Sequence, residues 1–305
     1  MLDIMIIGGG PAGMTAGLYA ARMGLKAVVY ERLMVGGQAS TTNIIENYPG
    51  HAQGIGGPEL MMEFQQQAES AGCEISYDEV SALNLQGDIK TAQTSSGEVQ
   101  ARAAILCMGA QARKLDVPGE ELFRGRGVSY CATCDGAFYR GQHVALIGGG
   151  NTALQEAVLL SEICARVTVV QNLPFLTGEQ RLVQTLAAWE NVEYRYGTVV
   201  TGYEGAEALT ALRLLQTETG EESRLEVDGA FLAIGTEPEN APFAAVAALN
   251  EQGYIAAGEA CTTAAAGIFA AGDCRTKAYR QVATAISDGA AAALNACRWL
   301  DSQAR

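Results

Sequence analysis

The sequence has few of the features that mark secreted, membrane or nucleic-acid-binding proteins. Eight cysteines in 305 residues are too sparse for a disulfide scaffold. No apolar run is long enough to span a bilayer, and the N-terminal residues do not resemble a signal peptide, so a cytoplasmic location without membrane attachment is expected. The net charge of −14 argues against nucleic acid as a partner.

Histidine is scarce as well, which bears on metal binding. His51 and His143 are the only two histidines, and neither has ligand spacing to other candidate ligands. The sequence has one Cys-x-x-Cys, at Cys131 and Cys134, so the other half of a zinc site is missing and no metal site is predicted. The remaining use of such a pair is a redox-active disulfide, because its sulfurs can exchange between thiolate and disulfide. Six further cysteines are expected to be reduced and buried: Cys73, Cys107, Cys164, Cys261, Cys274 and Cys297.

A dinucleotide-binding pattern opens the chain. The apolar strand Ile4–Ile7 leads into Gly8, Gly10 and Gly13, in G-x-G-x-x-G spacing, and a helix over about 12–23 follows. A second strand, 27–30, ends on Glu31. The glycines permit a tight turn and close approach to a pyrophosphate, and Glu31 is placed to accept hydrogen bonds from a ribose.

A similar pattern recurs about 140 residues later. The predicted strand 143–147 leads into Gly148, Gly150 and Asn151, a helix to about Cys164, and a strand over 167–170. We predict an α/β fold with two Rossmann-like, three-layer domains, the second inserted into the first. The first would comprise residues 1–115 and 241–305, and the second residues 116–240. The outer segments predict a helix over 58–71, a small antiparallel hairpin set over 75–101, a buried strand over 103–109 and a last helix over about 279–300.

These motifs together resemble the low-molecular-weight thioredoxin reductases, which are two-domain flavoproteins of the pyridine nucleotide–disulfide oxidoreductase group. The resemblance covers essentially the whole chain, and Cys131-Ala132-Thr133-Cys134-Asp135 is its most specific part. It implies a homodimer that binds FAD in the first domain and reduces thioredoxin or a thioredoxin-like disulfide. It also implies that the central domain rotates between two orientations.

The resemblance assigns residues to roles. Cys134 would lie next to the flavin, and Cys131 would attack the thioredoxin disulfide. Asp135 would be the nearby acid–base group, with a turn cap as the alternative. The residues expected around FAD are Gly8, Gly10, Gly13, Glu31, Gly37, Gln38, Asn47, Gly109, Gly272, Asp273, Arg280 and Gln281.

One stretch departs from the family. Ordinary members hold the ribose phosphate of NADPH with an arginine-rich string just after the second strand of the inserted domain. Here that stretch is 170–178, and no basic residue occurs from Thr168 to Gln180. NADPH is therefore expected to bind poorly. NADH is possible, although Gln171 is neutral where an acid would be wanted. Gly148, Gly150 and Asn151 would then serve either a second dinucleotide or only helix–strand packing.

The departure resembles the ferredoxin-dependent offshoot of the family, so reduced ferredoxin is the expected donor. Residues 116–239 carry 18 acidic and 8 basic residues, a net charge of −10, which makes the flavin domain the better dock for an acidic protein. The candidate docking residues are Arg22, Lys26, Arg32, Arg275 and Lys277. The alternatives are a conventional NAD(P)H-dependent reductase and a flavin-binding redox sensor without turnover.

Overall fold

The computed structural model describes residues 1–42, 44–45, 47–86 and 88–303. The chain forms two compact units, one of residues 1–111 and 237–305 and the other of residues 112–236. The predicted domain limits lie within four residues of these crossings. Residues 304–305, the predicted end of the first domain, lie outside the described part.

Seventeen strands and seven α-helices are described in those ranges. The strands are β1 (Leu2–Ile7), β2 (Ala27–Tyr30), β3 (Glu74–Ser76), β4 (Val80–Gln86), β5 (Ile89–Thr94), β6 (Gly97–Leu106), β7 (Ala110–Ala112), β8 (Val128–Ser129), β9 (His143–Ile147), β10 (Arg166–Val170), β11 (Val192–Arg195), β12 (Thr198–Gly205), β13 (Leu209–Gln216), β14 (Glu222–Glu226), β15 (Gly229–Leu232), β16 (Thr236–Pro238) and β17 (Ile268–Ala270). The helices are α1 (Pro11–Arg22), α2 (Gly57–Ser70), α3 (Glu120–Phe123), α4 (Ala132–Asp135), α5 (Asn151–Ile163), α6 (Gln180–Ala187) and α7 (Val282–Gln303).

The first unit is built on a seven-stranded sheet in the order β3-β2-β1-β6-β5-β4, with β17 also paired to β6. Strands β1, β2, β3, β17 and the second half of β6 run parallel, whereas β4 and β5 pair antiparallel. Strand β6 therefore serves two regions: residues 97–101 pair with β5, and residues 104–106 pair with β17. The separate strand predicted at 103–109 is thus the continuation of the hairpin strand before it.

Both faces of this sheet are buried, as its apolar strands predict. Ile4 and Ile6 of β1 pack in the cluster beneath α1 and α7, while Met5 and Ile7 pack in the opposite one. Alternate side chains of a strand point to opposite faces, so a strand that is apolar throughout belongs between two layers. Glycine allows the two helices of one layer to approach closely, because a side chain at Gly289 of α7 would collide with the Ala12 carbonyl of α1.

The second unit has a five-stranded parallel sheet in the order β11-β10-β9-β15-β8 and an antiparallel sheet of β12, β13 and β14. Helices α5 and α6 pack on the parallel sheet and bury Leu154, Leu160 and Leu186. The α/β architecture with two Rossmann-like folds, one inserted into the other, is confirmed. Over residues 1–42, 44–45, 47–86 and 88–303, no helix is long and apolar enough to cross a membrane.

Candidate functional site

The parallel strands of the first unit bring the predicted cofactor residues to one edge of the sheet. Strand β1 leads to Gly8, β2 to Glu31, β6 to Gly109 and β17 to Gly272. The register fixes this convergence, because the Gly8 amide donates to the Tyr30 carbonyl at 2.8 Å and the Ala271 amide to the Leu106 carbonyl at 2.9 Å. Ligands of doubly wound folds bind at this carboxyl edge.

The first glycine turn is shaped to admit a ligand. Gly8 has a φ of +104°, and a side chain there would meet the Cys107 carbonyl. A side chain at Gly13 would collide with the Gly8 carbonyl, so glycine is required for the helix to begin this close to β1. By contrast, a Cβ at Gly10 has no described atom within 4 Å. The open space lies beside the N-terminus of α1, where an anion is favoured.

Several predicted residues form contacts around this turn. Glu31 accepts hydrogen bonds from the amides of Gly9 at 2.8 Å and Leu33 at 3.1 Å. Gln38 donates from Nε2 to the Ala110 carbonyl. Glu31 therefore shapes the turn, whether or not it also contacts a ribose.

The remaining predicted residues come from distant parts of the chain. Asn47 Nδ2 donates to Gln281 Oε1 at 3.0 Å. The Arg280 guanidinium lies 4.2 Å from the centre of the Tyr254 ring, and its Nε is 3.4 Å from the Asp273 carbonyl oxygen. Gly37, with a φ of +53°, begins a 3₁₀ turn.

Asp273 carries a buried oxygen without a hydrogen bond. Although 31% of the side chain is exposed, its Oδ1 is buried and accepts no hydrogen bond from any described residue. Lys277 Nζ lies 3.9 Å from it. Burial raises the pKa of Asp273 to about 6, and the charge of Lys277 opposes this rise. An unbonded carboxylate oxygen is costly to bury, so this atom is suited to a hydroxyl donor from a ligand.

These observations fit FAD. The glycine turn would hold the pyrophosphate, Glu31 would face the adenosine ribose, and Asp273 Oδ1 would accept a hydrogen bond from the ribityl chain. Gln38, Asn47, Arg280 and Gln281 would surround the remainder of the flavin. These assignments to individual residues remain predictions.

In the second unit, Cys131 and Cys134 form a disulfide across one turn. Their Cα atoms are 5.3 Å apart, and Cys131 immediately precedes α4. Asp135, at the end of α4, accepts a hydrogen bond from Ser129 Oγ at 2.6 Å, and the same Oγ accepts one from the Cys131 amide at 3.1 Å. Burial raises the pKa of Asp135, and the Ser129 hydroxyl partly offsets that rise. The other six cysteines are free and buried, as predicted.

The second glycine turn repeats the first, with the neutral Gln171 where the first turn has Glu31. A side chain at Gly9 would press on Glu31, and one at Gly149 would press on Gln171. Gln171 therefore occupies the place of Glu31, but its Nε2 donates to the Phe175 carbonyl at 3.1 Å. Asn151 pairs with Glu179, accepting from its amide at 2.7 Å and donating to its Oε1 at 3.2 Å.

The prediction that Arg275 and Lys277 lie on the surface as ferredoxin contacts was wrong. The side chains of Arg275 and Lys277 are only 10% and 6% exposed. Both pair with the buried Asp288 of α7: Arg275 Nη2 lies 2.6 Å from Oδ1, and Lys277 Nζ 2.9 Å from Oδ2. Asp288 Oδ2 also accepts the Gly272 amide at 3.0 Å. Arg22, Lys26 and Arg32 are exposed, although Arg32 pairs with Glu239 at 2.9 Å.

Sequence reasoning missed Ser129 and Asp288. Ser129 lies two residues before Cys131, and this short separation is the feature of the sequence that could have indicated a role at the disulfide. Asp288 lies within an alanine-rich helix, where a lone acid among small apolar residues signals a buried partner.

Comparison with known proteins agrees with this geometry. The family described as pyridine nucleotide-disulphide oxidoreductase matches residues 2–289. A thioredoxin reductase of Mycolicibacterium smegmatis is 42% identical over 302 residues, covering 99% of this chain and 97% of that protein. One of Bacillus subtilis (strain 168) is 40% identical over 292 residues, covering 95% and 92%. The crystal structure of thioredoxin reductase from Streptococcus pyogenes MGAS5005 superposes with a TM-score of 0.92 at 37% identity, covering 99% of both chains.

The fold, the glycine turns and the paired cysteines thus define a pyridine nucleotide-disulphide oxidoreductase. Within that family, the chain belongs to the low-molecular-weight thioredoxin reductases.

Proposed function

We propose that this protein is a FAD-dependent thioredoxin-disulfide reductase whose electron donor is reduced ferredoxin rather than NADPH. The single observation that carries the reductase activity is the Cys131–Cys134 disulfide with Asp135 held beside it by Ser129. Relatives about 40% identical over nearly the whole chain bear the name thioredoxin reductase, which supports thioredoxin or a thioredoxin-like protein as the substrate.

FAD, when bound, supplies the electrons that open the disulfide to a dithiol. The Cys131 thiolate then displaces one sulfur of the substrate disulfide, and Cys134 displaces the second sulfur from the mixed disulfide. Two electrons pass to the substrate, and the Cys131–Cys134 bond forms again. Asp135 is suited to exchange protons with these sulfurs, because burial raises its pKa from the ordinary aspartate value in the direction of neutral pH.

The choice of donor rests on the second glycine turn. A ribose phosphate needs cationic partners, and 168–180 contains none. Glu179 adds a negative charge near the N-terminus of α5, through its pair with Asn151. The burial of Arg275 and Lys277 removes two of five proposed ferredoxin contacts, so the ferredoxin surface would rest on Arg22, Lys26 and Arg32. An acidic ferredoxin would be attracted to those charges.

One observation favours the alternative donor. Gly148 and Gly150 retain the shape of a pyrophosphate-binding turn, and Gly150 directly precedes α5. A conventional NAD(P)H-dependent reductase is therefore the second candidate.

An anaerobic titration of the purified flavoprotein distinguishes the donors. We expect reduced ferredoxin to bleach the flavin absorbance, and subsequent thioredoxin to restore it. NADPH should produce little bleaching at micromolar concentration. Rapid bleaching by NADPH would overturn the ferredoxin proposal in favour of the conventional enzyme, and bleaching by NADH alone would assign the second unit to that nucleotide.

A gain-of-function variant tests the reason for poor NADPH binding. Asn172 and Leu173 are exposed in the stretch after β10, and N172R/L173R would install two guanidinium groups there. We expect this variant to be bleached by NADPH at lower concentration than the wild type, with no comparable gain for NADH. N172Q/L173M is the matched control without charge.

The Cys131→Ser variant distinguishes the proposed enzyme from a redox sensor without turnover. Retained flavin with lost thioredoxin reduction supports the enzyme. Thioredoxin reduction that survives this change would overturn the assigned role of Cys131.

A further inference from the structure

One face of α5 lies along the segment that carries the redox cysteines. Glu156, Leu160 and Ile163 follow one another at intervals of four and three residues, so they share a face of the helix. A Cβ at Gly136, the residue after Asp135, would lie 3.2 Å from Leu160 Cδ2 and 3.3 Å from Ile163 Cδ1. Glycine at 136 therefore lets α5 pack directly on the cysteine segment.

The Glu156 carboxylate lies on the same face of α5, one turn before Leu160. Helix α5 packs against α4, which begins at Ala132, the residue after Cys131, and the backbone of Ala132 acts on the Glu156 carboxyl to lower its pKa. Glu156 Oε2 is buried and finds no hydrogen-bond partner in the described part of the chain. A buried carboxylate oxygen that is left unbonded costs free energy, so its presence beside a reactive cysteine requires an explanation.

We propose that Glu156 is a positioning residue of the disulfide centre, which fixes the turn between the cysteines and sets the reactivity of Cys131 by gaining or losing its own proton. The inference deepens the proposed reductase function and rests on it. An ionised Glu156 places a negative charge near Cys131 and disfavours the thiolate, whereas a protonated Glu156 removes that charge.

The Glu156 carboxyl gains and loses its proton near neutral pH. Burial raises its pKa to about 7, and the backbone of Ala132 opposes the rise. The helix α5 packs against α4, α6, β9, β10 and the 3₁₀ turn Gly136–Tyr139. The ionisable groups on those elements, besides the cysteines, are Asp135, Tyr139, His143, Arg166 and Arg181, and α5 itself also carries Glu162. None of their charges contributes to the shift of Glu156.

The chemical steps balance with Glu156 in this role. The Cys131 thiol loses its proton and attacks the substrate disulfide, so a Cys131–substrate bond forms and one substrate thiolate leaves. Cys134 loses its proton and displaces the other substrate thiolate, and the Cys131–Cys134 bond forms again. The two released protons go to the two substrate thiolates. Glu156 and Cys131 titrate as a coupled pair, because the loss of one proton hinders the loss of the other.

The test measures the Cys131 thiol itself and needs no electron donor or thioredoxin. The holoprotein is reduced with excess dithiothreitol, which is then removed anaerobically. The rate of iodoacetamide labelling at Cys131 is followed by peptide mass spectrometry from pH 5 to 10. The variants are Glu156→Gln and, as a matched control on the same helix, the exposed Glu162→Gln. Thermal melting confirms that each variant is folded.

We expect E156Q to lower the apparent pKa of Cys131 by about one unit. Because the thiolate is the reactive form and Glu156 is only about half ionised near pH 7, labelling should become roughly twofold faster there, and the gain should grow as the pH rises above 7 towards the pKa of Cys131. E162Q should label like the wild type. A labelling profile of folded E156Q that coincides with the wild type would overturn the inference, as would an equal shift in E162Q.

A second variant keeps the inference testable if E156Q does not fold. Glu156→Asp retains the ionisable group while shortening its reach, and it should shift the apparent pKa of Cys131 from the wild-type value by less than the roughly one unit expected for loss of the charge. A profile of E156D shifted as far as the loss of the charge predicts would contradict the electrostatic role. Because labelling does not depend on turnover, the absence of thioredoxin reductase activity would leave this result unaffected.

Discussion

Replacing Asp288 with asparagine should destabilise the first unit severely. This carboxylate, 8% exposed, is the anionic partner of the buried Arg275 and Lys277 side chains. Its oxygens accept hydrogen bonds from Arg275 Nη2 at 2.6 Å and Nε at 2.9 Å, from Lys277 Nζ at 2.9 Å and from the Gly272 amide at 3.0 Å. The substitution preserves the side-chain shape but removes the charge.

The magnitude follows from leaving two buried cations without their common partner. Breaking a buried ion pair by removing one member costs about 3–5 kcal/mol, because the remaining charge stays desolvated. Lys277 retains a weaker partner in Asp273, at 3.9 Å, so a loss near the lower end of that range is expected. For a unit of this size, 1 kcal/mol corresponds to about 2–4 °C in melting temperature, which gives a decrease of roughly 10 °C.

The loss should also depend on pH. Burial alone would raise the pKa of Asp288, but its hydrogen bonds with Arg275 and Lys277 outweigh burial and lower it. A carboxyl group whose pKa is lower in the folded state stabilises the fold above its unfolded pKa, about 3.9, and loses that contribution as the pH falls through the folded value. The difference between wild type and D288N should therefore be full at pH 7 and shrink below about pH 4.

Thermal denaturation followed by circular dichroism provides the assay. Asp301→Asn is the matched control, because Asp301 is exposed on the same helix α7. It should melt within about 1 °C of the wild type. Equal melting temperatures for D288N and D301N at pH 7 would refute the reasoning, and so would a D288N deficit that grows as the solution is acidified.

Two further predictions concern the centres of the two units. Ser129→Ala removes the hydroxyl that donates to Asp135 at 2.6 Å, so the pKa of Asp135 should rise further. The pH profile for the reaction of the prereduced dithiol with a small aromatic disulfide should therefore move to higher pH. An unshifted profile would show that Asp135 takes no part in the proton transfers of thiol–disulfide exchange. Gly10→Ala fills the open space beside α1 and should lower FAD content in equilibrium dialysis without altering the fold, whereas unchanged FAD content would place the pyrophosphate elsewhere.

The sequence determined the architecture because its signals are local. Strand β1 is apolar on both faces, which requires covering layers, and the glycine spacing after it requires a tight turn into α1. The same pattern around Gly148 predicted the second fold. The Cys-x-x-Cys spacing likewise closes a disulfide without help from distant residues.

Only the tertiary structure decided which charged groups are exposed and which face one another. Arg275 and Lys277 are residue types that usually lie on the surface, yet both are buried against Asp288 of α7. The face of α5 that carries Glu156, Leu160 and Ile163 meets the cysteine segment because Gly136 lets the helix pack there. Such pairings join residues on different elements, 11 and 13 positions apart for Asp288 and its two partners, where spacing carries no signal and packing alone sets the distance. Local chemistry therefore specified the fold and the paired cysteines, and packing specified which charged groups are buried together.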